Sequence, residues 1–89
     1  MRAIVTVIGK DRVGIIAAVT EILARHGVNV LDISQTVLQE YFTMIMLVDL
    51  SGINVPFAAL SRALEAAGAE RGLQIRAQRE EVFNAMHRI

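Results

Sequence analysis

The stretch from Ala3 to Ser34, "AIVTVIGKDRVGIIAAVTEILARHGVNVLDIS", decides the fold. It opens on a nearly continuous apolar, largely β-branched run from Ala3 to Ile8 that stops at Gly9, the pattern of a central strand apolar on both faces. After a Gly-Lys-Asp-Arg turn, Ile15, Val19, Ile22, Leu23 and His26 fall at the three-and-four spacing of one helix face. Asp11 is a candidate N-cap and Gly27 a left-handed C-cap, so the spacing predicts a helix over about 13–26. "VNVLDISQTVLQE" then returns the chain to extended structure, with Asp32 and Ser34 interrupting the apolar alternation as an edge strand or a bulge does.

Working outward, "EYFTMIMLVDL" alternates as a third strand. Phe42, Met44, Met46, Val48 and Leu50 face one way, and Ile45 and Leu47 the other. Gln39 and Glu40 between these runs leave room only for a tight antiparallel hairpin. "SGIN" breaks the chain, and Asn54 is a candidate cap for a second helix with Pro56 in its first turn. Its buried stripe is Phe57, Leu60, Leu64 and Ala67; Gly68 weakens it and Gly72 ends it. "LQIRAQ" is a fourth strand with one wet face, and Val82, Phe83 and Met86 mark a short amphipathic tail helix.

The order βαββαβ predicts an α+β, ferredoxin-like fold over a single domain, 1–89. An antiparallel four-stranded sheet carries two helices on one face, and a short C-terminal helix follows. Strands apolar on both faces leave the other face bare, so the free face, the edge strand or the tail helix is expected to meet a second copy. The alternative is a tail helix folded back over its own sheet.

Composition removes several classes of function. Lys+Arg and Asp+Glu are equal at 9 each, so nothing draws the chain as a whole to nucleic acid or anionic lipid. Positions where an RNA-binding sheet would stack bases hold Ile4, Thr6, Met44 and Met46 instead of aromatics. With no Cys there is neither a thiolate metal site nor a cysteine nucleophile, and neither a metal nor any other cofactor is expected. "GKDRVG" is not the Arg cradle of an acylphosphatase, and no serine stands in a nucleophile elbow. His26, at a helix C-terminus, and His87, in the tail, read as structural or solvated. The apolar run after Met1 is too short for a signal core or a membrane span, and the expectation is a soluble, cytoplasmic protein without catalysis of its own.

At Asp11, Gly14, the apolar Ile15, Val19 and Leu23, and then "HGVNVLDI", the chain resembles the ACT domain, a small amino-acid-binding regulatory module. With "ISQTVLQEYFTMIMLVD" and the terminal "VFNAMHRI", it is similar to the free-standing UPF0237 family and to the ACT halves of glycine cleavage system transcriptional regulators. The resemblance implies an amino acid held at the strand-to-helix turn, often against a second subunit. It implicates Asp11, Arg12, Val13, Gly14 and Ile15, with Asn29 and Asp32 on the facing wall. Asp11 or Asp32 would receive the ammonium group, and the amides of Val13 to Ile15 the carboxylate, as the free N–H groups of a helix start allow. Regulation would then pass through a homo-oligomer, a dimer or higher, to an unidentified protein partner. The alternative is a ligand-free dimerising adaptor in which Asp11 only caps the helix and Gly14 only lets it pack on the sheet.

Overall fold

The computed structural model describes residues 1–10 and 14–86. Its elements are β1 (Arg2–Gly9), α1 (Ile15–Arg25), β2 (Asn29–Leu38), β3 (Tyr41–Asp49), α2 (Phe57–Arg71), β4 (Gln74–Arg79) and α3 (Glu80–Met86). The four strands form one sheet in the order β2-β3-β1-β4, every neighbouring pair antiparallel. This is the expected ferredoxin-like arrangement with an added C-terminal helix. The β2–β3 hairpin turns on Gln39 and Glu40 alone, with Gln39 at a φ of 54°.

Period-two alternation decides what is buried. Ala3, Val5 and Val7 of β1 and Phe42, Met44, Met46 and Val48 of β3 face the helices and lie in the core, with Ile75 of β4 beside them. From above they meet Ile15, Val19, Ile22 and Leu23 of α1 and Leu60 and Leu64 of α2. Among the described residues no polar or charged side chain is buried, so hydrophobic burial carries this core.

The helix ends differ from the expectation. The predicted cap Asp11 lies outside the described residues; α1 starts at Ile15, and Gly14 is its N-cap in the left-handed region, φ 73°. Asn54 does not open α2, whose N-cap is Pro56. Instead the Asn54 side chain donates to the carbonyl of Arg25 at 3.2 Å and its backbone N–H to that of His26 at 3.1 Å. An asparagine read as a local cap thus satisfies carbonyls orphaned at the end of the other helix. Gly68, expected only to weaken α2, is buried where a Cβ would stand 2.9 Å from the Leu73 carbonyl oxygen, so it seats α2 against the chain entering β4.

The joint that closes α1 is built from backbone. Gly27 has a φ of 74°, and a Cβ there would collide with the carbonyl oxygen of Gly52, in the β3–α2 connection. The chain can come this close only because both residues lack side chains.

The tail helix adopts the alternative arrangement, folding back on its own sheet. It follows β4 without a connecting residue and packs on β1 and β4. Arg2 and Glu80 form an ion pair at 2.6 Å, and the Gln78 amide donates to the Met86 sulfur at 3.3 Å. Gln78 pairs with Ile4, whose neighbour Val5 points at the helices, so α3 lies on the opposite, free face of the sheet.

Candidate functional site

Of the residues expected at the turn, Asp11, Arg12 and Val13 lie outside the described residues. Gly14 is exposed, and among the described residues no side chain caps α1 and nothing comes within 4 Å of a Cβ built on Gly14. Gly14 is therefore required by its left-handed backbone, not by close packing on the sheet. Ile15 is 2% exposed and anchors the first turn in the core, so only its backbone N–H is available to a bound group.

Asn29 and Asp32 stand elsewhere. Both are exposed on β2, with Asn29 paired to Asp49 at the sheet end where α1 has already finished. The 11 residues of α1 separate them from Gly14, about 16 Å of helix at 1.5 Å per residue. Within one chain the proposed walls do not meet. The separation was readable from the helix length alone, which places its two ends at opposite ends of the sheet.

Local chemistry at both ends is modest. Register shifts at a bulge between Val30 and Asp32, and the Asp32 carboxylate accepts the N–H of Ile33 at 2.9 Å. Next to Asn29, Asp49 accepts the Ser51 hydroxyl at 2.7 Å and the Ser51 N–H at 3.0 Å, and these bonds hold its carboxyl below the usual carboxylate value. A depressed carboxyl stabilises the fold above its unfolded-state pKa, and that contribution disappears as pH falls through the folded-state value. Ser51→Ala should move the Asp49 titration upward toward an ordinary aspartate, measured by carboxyl NMR between pH 2 and 6; an unmoved midpoint would refute this origin. His26 presents Nδ1 to the Ile22 carbonyl at 2.7 Å, so that nitrogen carries hydrogen and the ring serves the helix end.

One contact beside the turn was not expected. Lys10 lies over the Tyr41 ring, 5.5 Å from its centroid, joining the end of β1 to the β2–β3 hairpin. The β1–β3 register that pairs Gly9 with Phe42 makes them neighbours, and local periodicity carries no information on that register. A groove of about 500 Å³ lies elsewhere, between Glu65 and Ala69 of α2 and the outer edge of β4, and includes none of the expected site residues. Among the described residues no group of His, Asp and Glu is placed to hold a metal ion, and no helix is long and apolar enough to cross a membrane.

Comparison with known proteins agrees on one family. The ACT domain model matches residues 2–78. A UPF0237 protein of Clostridium acetobutylicum is 55% identical over 89 residues, all of both chains. Among solved structures, an ACT domain protein from Streptococcus pneumoniae superposes with a TM-score of 0.81 at 45% identity, over 98% of each chain. A glycine cleavage system transcriptional repressor described as putative shares the fold, with a TM-score of 0.72 at 24% identity, over 88% of this chain and 44% of that one.

Proposed function

This chain belongs to the ACT domain family, in its UPF0237 group, and from that premise we propose that it is a non-catalytic sensor of a small amino acid that acts as an oligomer on a protein partner. The observation that carries the proposal is the start of α1: an exposed glycine in the left-handed region opens the helix, and no described side chain caps it. The N–H groups of such a turn suit a carboxylate.

The ammonium end needs acidic or amide oxygens, and in one chain Asn29 and Asp32 are a helix length away. A second copy brings them. β2 is an edge strand, and two such strands paired antiparallel about a two-fold axis lay the Asn29 end of one beside the Leu38 end of the other. The ligand would then favour the paired state by its differential affinity for it, which is how binding becomes a signal.

The test is a thermal shift against the common amino acids, one at a time, at fixed salt and pH. An amino acid at about 100 times its Kd adds roughly 2.7 kcal/mol, or about 10 °C or more for a domain of this size. Asn29→Ala and Asp32→Asn, both at exposed positions, should each remove most of that shift while moving the unliganded melting temperature little. If no amino acid raises the melting temperature, the ligand-free adaptor is the better account; a shift untouched by either variant would displace the facing wall from these residues.

A further inference from the structure

The two edges of the sheet differ. β2 is broken by the bulge between Val30 and Asp32, whereas β4 pairs with β1 without a shift of register and contains no proline. Bulges and prolines are the usual means of keeping an edge from taking another strand, and β4 has neither. On such an edge every second residue turns its N–H and C=O away from the sheet. Among the described residues, no backbone hydrogen bond from outside β1 reaches Gln74 to Ala77.

The groove of about 500 Å³ follows this edge. Leu73 to Gln78 line it in an unbroken row, about 16 Å of extended chain, and Glu65 and Ala69 of α2 form its other wall. Ile75 is buried toward the helices, so alternation puts Ala77 on the same side and Arg76 on the free face. A Cβ on Gly68 would stand 3.0 Å from the Ile75 side chain, and the chain reverses at Gly72. Going back from Gly68 to Glu65, about 4.5 Å of helix, therefore advances along β4 from Ile75 toward Ala77. The groove thus carries a carboxylate on its helix side and a guanidinium on its free side, at neighbouring levels. Both residues are exposed, and among the described residues neither is in an ion pair.

We propose that the β4 edge docks an extended segment of a partner protein, which adds a further strand to the sheet. Backbone pairing holds the segment, and the two charges select it. Run antiparallel to β4, a matching segment reads basic, acidic, apolar. The basic side chain meets Glu65, the acidic one Arg76, and the apolar one the strip of Ile75 beside Ala69. A second copy fits this edge worse, because two β4 strands paired about Arg76, at the middle of the groove, set arginine against arginine. The role of such a partner in signalling rests on the regulatory reading above, in which β2 is taken by the oligomer and β4 stays open.

Amide NMR of the isotope-labelled chain tests the proposal with two capped peptides at up to millimolar concentration. One is Thr-Thr-Lys-Glu-Val-Thr-Thr, and the other exchanges its Lys and Glu. The first should shift the amides of Gln74 to Ala77 saturably and bind about tenfold more tightly than the second. In the double variant Glu65→Lys with Arg76→Glu, both at exposed positions, that preference should reverse. The proposal is overturned by the absence of saturable shifts along β4, by equal affinity for the two peptides, or by shifts confined to β2. It is also overturned if the β4 signals change with chain concentration alone, which would give the edge to a second copy. The thermal response to amino acids, read on the same protein, separates this proposal from the sensor. Peptide binding without that response supports the docking edge and removes the sensor; the response without peptide binding removes the docking edge alone.

Discussion

Replacing Gly27 by alanine should lower the melting temperature by roughly 15 °C or more, a loss of at least about 3 kcal/mol at 4–8 °C per kcal/mol. Two terms add. Alanine in the left-handed region costs roughly 1–2 kcal/mol, and its Cβ would occupy the space of the Gly52 carbonyl oxygen, which belongs to backbone and cannot rotate away. Relief would require moving the β3–α2 connection, and with it the Asn54 hydrogen bonds to Arg25 and His26. A domain of 89 residues holds only about 4–13 kcal/mol in total. The control is Gly14→Ala, at a similar φ of 73° but with nothing described within 4 Å, where only the conformational term remains. Thermal or urea denaturation of both variants decides the matter, and equal losses would show that the Gly27–Gly52 approach contributes nothing.

Ile15→Ala should cost about 3 kcal/mol, whereas Ile16→Ala, one residue on, should stay within about 1 kcal/mol. Ile15 is 2% exposed and Ile16 is 38% exposed, so the first truncation leaves a cavity in the core and the second mostly trims surface. The pair also separates two roles of the turn. If Ile15 serves a ligand only through its N–H, the alanine variant at low temperature, where it is still folded, retains the amino-acid response that Asp32→Asn loses. Urea titrations give the first comparison; near-equal midpoints for the two isoleucine variants would mean that α1 does not dock as described.

What could be read from the residues alone follows the range of the interactions. Ile15, Val19, Ile22 and Leu23 announced the buried stripe of α1 because helical period is local, and all four are buried. Gly72 likewise announced the end of α2, which it closes at a φ of 69°. Asn54 misled because Asn shortly before Pro is a local capping pattern, while its actual partners are 28 and 29 residues back at the end of α1, a contact only tertiary packing creates. The outward apolar positions of β2 were also hidden. Ile33 pairs with Met46 and Val37 with Phe42, on the helix side of the sheet, yet they are 38% and 48% exposed because the helices do not reach over that edge. For the candidate site, Asp11, Arg12 and Val13 lie outside the described residues, and the distance between Gly14 and Asn29 follows from helix length, whereas any contribution from a second copy could not be read, since alternation and spacing describe one chain.

The junction of β4 and α3 has a mechanical consequence. Arg79 ends the strand and Glu80 starts the helix, so no slack separates them. At one side of this junction Arg79 lies over the Phe57 ring, 5.4 Å from its centroid, and at the other Glu80 holds Arg2. Any force that tilts α3 must therefore twist the last residues of β4, loosening their pairing with Ala3 and Ile4 and pulling on the first turn of α2. The tail is a lever with a short rigid arm, and its displacement would be read as faster amide exchange along the β1–β4 seam, far from the helix that moved.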